Sequence, residues 1–396
     1  MIGHLKGGRQ GRIGRLQEGA VTDGRAGKPR IRDIAEALGV SIGTVDRALN
    51  DRPRISAATR KKILNMAEAL GYRPNLAARY LSSRRELRIA VALPREVASF
   101  WDLVRDGMRE ALRHLEAKGV RIVDHAYPRL GVGEREALEQ ALRENADAVV
   151  IAPGQPDLLK PLIKQAAERG IPVLCVNTDA PGTRRLATVC VDPVASGSLA
   201  AELLARFVHG DGAVVAVTGL FTTIDHARKL DGFRAQLRRM RAGLRLLAVV
   251  EAHDEEREAY EKCREAFAAH ADLAAVYVST ANSLPVLSAL KDEGLADRTI
   301  LVTTDLFPAL ARAIQSGRVA ATIHQRPWTQ GRIALQTIYR FLSEGLRPPP
   351  LVRLSPHVVM RSNLRLFRET ARPPRRSAGA ASGANADAAA VPVGDR

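Results

Sequence analysis

Apolar residues in the first seventy positions recur with a helical period. Ile31, Ile34, Ala35 and Leu38 fall at i, i+3, i+4 and i+7, one stripe of an α-helix. Gly39 ends that helix, because glycine adopts the left-handed cap conformation without steric cost. Ser41 offers an N-cap hydroxyl, and Val45, Ala48 and Leu49 form the inner face of a second helix. A third helix follows Ser56, with Ile63, Met66, Ala67 and Leu70 on one face and Gly71 at its end. Two short helices joined at a glycine, with a small alanine at the crossing, predict a helix-turn-helix; a plain helical hairpin is the alternative.

From Leu87 the pattern changes to short apolar runs alternating with amphipathic stretches. The runs include 88–93, 148–151, 171–176, 213–217, 274–278 and 299–302, and helical patterns cover 100–118, 134–145 and 158–169. Strand–helix alternation over this length predicts parallel sheets covered by helices, in two α/β units. The predicted organisation is a disordered basic arm over 1–29, an all-α helix-turn-helix domain over 30–73 and a hinge helix and linker over 74–86. A two-lobed α/β body over 87–368 and a disordered Ala/Gly/Ser-rich tail over 369–396 complete it.

Charge gives the first functional signal. The chain of 396 residues carries a net charge of +17, yet residues 1–88 alone hold 19 Lys/Arg against 8 Asp/Glu. A basic head on a nearly balanced body points to a nucleic-acid module joined to something else; a solvated tail is the bland alternative. With aromatics at 4%, stacking platforms for single strands are disfavoured. The second helix would enter a major groove N-terminus first, presenting Ile42, Gly43, Asp46 and Arg47. Three cysteines without metal-ligand spacing exclude a disulfide framework and point to a reducing cytoplasm. No apolar run reaches the ~20 residues of a membrane helix, and the N-terminal segment lacks the apolar core of a signal peptide.

Three segments carry a family resemblance: Val40-Ser-Ile-Gly-Thr-Val-Asp-Arg-Ala-Leu-Asn50, Ile55-Ser-Ala-Ala-Thr-Arg60 and Leu70-Gly-Tyr-Arg-Pro-Asn-Leu-Ala-Ala-Arg-Tyr-Leu81. Together they resemble the DNA-binding head and hinge of the lac-repressor (LacI/GalR) family. The resemblance implies DNA contacts from Ser41, Ile42, Thr44, Arg47 and Asn50. It also implies a hinge helix over 75–81 that folds when two copies meet in the minor groove, with Asn75, Ala78 and Arg79 on DNA and Leu81 as the wedge. Ile42 and Gly43 depart from the family's polar or aromatic base readers, and Asp46 stands where a small hydroxyl residue is common. Ile42 either meets a thymine methyl or turns inward with Val45 and Leu49.

The same resemblance implies a body similar to type I periplasmic sugar-binding proteins of the ribose-binding branch, with two lobes, three crossovers and a ligand between them. Phe100 and Trp101 then stack on a sugar ring, while Asn177, Asp179, Asp305 and Gln325 meet its hydroxyls. His226, Arg228 and Asn282 are approximate placements of further ligand residues. Paired donors and acceptors suit hydroxyl groups, and aromatic faces suit the ring's C–H surface. The structural alternatives are core positions for Phe100 and Trp101, turn positions for Asn177 and Asp179, and an N-cap for Asp305.

Enzyme signatures are absent from the sequence: there is no phosphate-binding glycine loop, no Gly-x-Ser-x-Gly elbow and no His-x-x-x-His pair. The expectation is therefore a cytoplasmic, nucleoid-associated homodimer without catalytic residues, metal, cofactor or membrane partner. It would be a repressor on palindromic double-stranded operator DNA, released by a monosaccharide or polyol. The alternatives are a small-molecule binding protein, an activator or co-repressed regulator with a non-sugar ligand, and an enzyme hidden in the cleft. No C-terminal leucine heptad points to a tetramer.

Overall fold

The computed structural model describes residues 29–49, 53–70, 72, 86–240, 243–270 and 272–367. Asn50, the hinge residues Asn75, Ala78, Arg79 and Leu81, most of the arm and the tail lie outside them. The chain divides into two units, Met1–Pro74 and Asn75–Arg396.

In the first unit, α1 (Ile31–Leu38), α2 (Ile42–Leu49) and α3 (Ala57–Ala69) form a three-helix cluster. Gly39 caps α1 at φ 63°, in the left-handed region. Ser41 Oγ accepts the Thr44 N–H at 3.1 Å, and Ser56 Oγ accepts the Thr59 N–H at 3.1 Å, so each hydroxyl satisfies an open helix donor. Ile34, Val45 and Ile63 are fully buried where the helices meet, with Ala35, Ala48 and Ala67 beside them. Leu70 departs from expectation: it is the αR cap residue of α3 and is exposed rather than part of the inner face.

The second unit contains two six-stranded sheets. The strands are β1 (Leu87–Ala92), β2 (Val120–Asp124), β3 (Ala148–Ile151), β4 (Val173–Val176), β5 (Ala187–Val191), β6 (Gly212–Thr218), β7 (Leu244–Glu251), β8 (Leu273–Val278), β9 (Ile300–Thr304), β10 (Ala321–His324), β11 (Leu351–Leu354) and β12 (His357–Val359). The first sheet runs β11-β5-β4-β3-β1-β2 and the second β12-β10-β9-β8-β6-β7. All pairings are parallel except β10 with β12. The helices are α4 (Ala98–Arg113), α5 (Glu134–Arg143), α6 (Pro156–Glu168), α7 (Pro193–Phe207), α8 (Ile224–Met240), α9 (Glu256–Ala268), α10 (Ser283–Asp292), α11 (Pro308–Gln315) and α12 (Pro327–Glu344).

Helices cover both faces of each sheet. Ile89 and Val91 pack under α4 and α12, whereas Ala90 and Ala92 face α5 and α6. In the second lobe α7 and α8 cover one face and α9, α10 and α11 the other. Burial on both faces explains why the central strands read as unbroken apolar runs rather than alternating ones. The chain passes between lobes three times, after β5, after β10 and after β11.

Reciprocal glycines let the helices beside the crossovers touch backbone to backbone. A Cβ on Gly107 of α4 would stand 1.9 Å from the Trp328 carbonyl oxygen, and one on Gly331 of α12 would stand 1.9 Å from that of Val104. In the second lobe Gly197 of α7 meets the Lys229 carbonyl in the same way. These contacts fix Trp328 at a crossover and Lys229 in the cleft.

Candidate functional site: a recognition helix and an interlobe cleft

On α2 the side chains divide as a DNA-reading helix requires. Val45 and Ala48 are buried, while Ser41, Ile42 and Gly43 are exposed at its N-terminus. Ile42 is 54% exposed, so it faces outward rather than packing with Val45 and Leu49. Thr44 Oγ1 lies 2.8 Å from Ser41 Oγ and accepts from Arg47 Nη2 at 3.3 Å, so these three residues form one surface chain of hydrogen bonds. Asp46 lies close enough to Tyr72 to help burial raise the phenol's pKa.

The cleft of the second unit gathers most of the residues singled out for the ligand. Phe100, Trp101, Asn177, His226, Asp305 and Gln325 line one cavity. Phe100 and Trp101 meet edge to face at 4.9 Å. Asn177 and Asp305 sit just past the carboxyl ends of β4 and β9 with φ of 68° and 72°. Non-glycine residues in that region are costly and concentrate at functional sites. Asp305 Oδ1 accepts from Gln325 Nε2 at 2.7 Å. Burial pushes the Asp305 carboxyl up to about 6, against the pull of Lys229 and of the Gln325 amide. His226 Nδ1 accepts the Leu220 N–H at 3.0 Å, which leaves Nε2 to carry the ring proton.

Three expected ligand residues, Asp179, Arg228 and Asn282, lie off this cavity. Asp179 accepts from Arg185 Nη2 at 2.8 Å, and also bonds Arg185 Nε and Thr188. These donors hold its carboxyl below the usual range despite burial, and the residue ties down the turn after β4. Arg228 is exposed and pairs with Asp231 at 3.5 Å, because Asp225, His226 and Lys229 occupy the inner face of α8. Asn282 is buried at the start of α10 and lines an adjoining cavity of about 600 Å³ at the mouth.

Sequence reasoning missed Asp225, Lys229 and Asp254, which also line the inner cavity. Lys229 Nζ lies 2.6 Å from Asp225 Oδ2 and donates to the Ser279 carbonyl oxygen at 3.2 Å, with both side chains almost wholly buried. An acid and a lysine at i, i+4 on a helix face that packs inward was the available signal.

The lobes touch across the cleft. Thr223 Oγ1 donates to the Gly154 carbonyl oxygen at 3.0 Å, and Arg129 Nη2 lies 2.6 Å from Glu255 Oε1. Glu134 fixes the first-lobe side by accepting the N–H groups of Gly131, Gly154 and Gln155. The inner cavity is about 30 Å³, room for one or two waters.

Comparison with known proteins agrees with both halves. Residues 89–346 match the family model described as "Periplasmic binding protein domain", and residues 30–75 match "Bacterial regulatory proteins, lacI family". Catabolite control protein A of Priestia megaterium is 26% identical over 269 residues, 67% of this chain and 78% of that protein. The HTH-type transcriptional regulator DegA of Bacillus subtilis is 28% identical over 209 residues, 52% of this chain and 60% of its own length. Among solved structures, GanP, a glucose-galactose binding protein from Geobacillus stearothermophilus, superposes with a TM-score of 0.65 at 26% identity, covering 71% of this chain and 99% of GanP. Among the described residues no helix is long and apolar enough to cross a membrane. The matched families are regulators and binding proteins rather than enzymes. A helix-turn-helix head with an outward-facing α2 and a two-lobed body with a polar cleft thus coincide with the two matches: over most of its length the chain belongs to the periplasmic binding protein domain family, and residues 30–75 form a DNA-binding head that matches the lacI family of bacterial regulatory proteins.

Proposed function

We propose that the protein is a cytoplasmic homodimeric transcriptional repressor that binds a palindromic operator and releases it when a monosaccharide or polyol closes the two lobes. The observation that carries this reading is the convergence in one cavity of groups from both lobes and a crossover. Phe100, Trp101 and Asn177 come from the first lobe, His226 and Asp305 from the second, and Gln325 from the segment between β10 and α12. A ligand touching all of them favours the closed form, and its power to shift the protein equals its differential affinity for the two forms. Phe100 and Trp101 supply the apolar faces, and the carboxyl and amide groups supply paired hydrogen bonds. GanP's glucose-galactose binding supports a hexose.

On the DNA side, Ser41, Ile42, Thr44 and Arg47 read the major groove, with Asn50 beside them. Residues 75–81 act as the hinge, with Asn75, Ala78 and Arg79 on the duplex and Leu81 as the wedge. Lobe closure changes the spacing of the two linkers in the dimer, so the hinge segments no longer meet and the operator is released. The coupling is on the order of 1–3 kcal/mol, and operator DNA weakens sugar binding by the same factor.

The test selects operator DNA with purified protein and then titrates monosaccharides and polyols against the preformed complex. Release by a sugar supports the reading. Tightening by the sugar reverses its sign to co-repression, and selected DNA without a shared inverted repeat overturns the dimeric operator.

A further inference from the structure

A second cavity lies behind the crossover that carries Gln325. Gln325 lines the interlobe cleft, whereas its neighbours His324 and Arg326 line a separate cavity of about 410 Å³, a volume ordinary for a small-molecule site. Both lobes contribute to its wall: Leu103 and Trp328 belong to α4 and α12, and His324 and His357 to β10 and β12.

The lining carries one cation, Arg326, beside two imidazoles. His324, Arg326 and His357 converge there, and among the described residues no carboxylate lines the cavity. The imidazoles of the register pair His324 and His357 lie 6.5 Å apart. Burial, His357 and Arg326 together push His324 down to about 4, and burial and Arg326 push His357 down as well, so at pH 7 both imidazoles are neutral N–H donors and Arg326 supplies the charge. Trp328 and Thr329 lie in the first turn of the 18-residue α12, and the Arg326 side chain makes no cap bond there. A helix N-terminus presents open N–H donors and favours negative charge.

Two further observations point to a ligand. His324 is 3% exposed, and both of its ring nitrogens lack a hydrogen-bond partner. Buried imidazole nitrogens ordinarily find partners, so this pair is a vacancy in the hydrogen-bond inventory. The rest of the lining includes the apolar Leu103, Trp328 and Phe367, and the Phe367 ring meets His324 at 5.5 Å and His357 at 5.9 Å. We propose that this cavity is a second small-molecule site, for a small organic anion with a flat apolar body such as an aromatic carboxylate. Arg326, the imidazoles and the start of α12 receive the charge, while Trp328 and Phe367 enclose the body.

The chain has two tryptophans, Trp101 in the cleft and Trp328 in this cavity. In full-length Trp101→Phe, emission therefore reports on Trp328 alone. Titration with benzoate at pH 7 is expected to give a saturable emission change and a higher melting temperature. Benzyl alcohol, similar in shape but uncharged, is expected to bind at least about tenfold more weakly, since charge-assisted bonds are the strong ones. Arg326→Gln and His357→Gln should each weaken benzoate by a similar factor, and Arg326→Lys should restore part of the loss. The proposal is overturned by no saturable response to benzoate, by equal affinity for benzyl alcohol, or by unchanged benzoate affinity in both the Gln variants.

Discussion

Thr223 of the second lobe donates its hydroxyl hydrogen to the carbonyl oxygen of Gly154 in the first, at 3.0 Å and out of contact with solvent. This bond exists only when the lobes are together, and Glu134 holds the Gly154 loop in place to receive it. Thr223→Val keeps the shape and removes the donor. Since a neutral hydrogen bond contributes about 0.5–1.5 kcal/mol, the variant should bind its effector roughly two- to tenfold more weakly. Calorimetric titration measures this. Wild-type affinity in the variant would show that the bond does not hold the closed form.

Asp305 makes the cleft sensitive to pH. Its folded carboxyl is raised to about 6 from an ordinary 3.8. The stability it contributes is fully present below the unfolded value and is lost as pH rises through about 6. Asp305→Asn keeps an oxygen for the Gln325 amide and removes the buried charge, so the variant should be more stable than wild type at pH 7 and lose that advantage by pH 4. Effector affinity should move the opposite way, rising from pH 5 to 7 in wild type as the carboxylate becomes available to hydroxyl donors. It should stay low and flat in Asp305→Asn. Melting curves and binding isotherms over pH 4–8 decide both.

The DNA contacts separate into base reading and duplex deformation. Arg47 is held by Thr44 on the outward part of α2. Arg47→Ala should cost about 1–3 kcal/mol on operator DNA and relax base preference in each half-site. Leu81→Ala should reduce bending and specific affinity while leaving scrambled DNA nearly unaffected. Gel-shift titrations of both variants on the two DNAs distinguish these roles. Equal losses on both sequences for Leu81→Ala would remove the wedge.

How much of this was legible in the sequence depended on periodicity. Ile34, Val45 and Ile63 announced a helical core because apolar spacing maps directly to a buried face. The strands of β1, β3 and β8 were visible as apolar runs because both faces are covered. By contrast, the edge strand β7 mixes exposed and partly buried positions and gives a weaker signal. In the cleft, the position of Asn177 and Asp305 on the cavity wall was legible because residues just past the carboxyl ends of parallel strands face the crevice. Asp179 was misplaced because its partners Arg185 and Thr188 lie six and nine residues further on, a distance at which sequence says little about pairing. Lys229 was overlooked because a lysine at a buried position is unexpected; Asp225 and the Ser279 carbonyl make it tolerable.

That pair leads to the last prediction. Asp225 and Lys229 are 2% and 1% exposed, so neither charge is solvated by bulk water. Removing one partner leaves the other buried and uncompensated, which typically costs about 3–5 kcal/mol, whereas replacing both can be nearly neutral. Lys229→Met should therefore destabilise the body strongly, and it also strips the Ser279 carbonyl of its donor. Asp225→Asn with Lys229→Met should recover most of that stability, because an amide replaces the stranded carboxylate. Recovery of stability need not bring recovery of ligand binding. Lys229 draws the Asp305 carboxyl down more than Asp225 pushes it up, so the double variant, which removes both, should still raise the pH at which Asp305 ionises. Its effector affinity should then climb only at higher pH than in wild type. Denaturant unfolding and binding isotherms on the two variants test this. Equal stability of the single and double variants would show that the ion pair is not what holds α8 against the cleft.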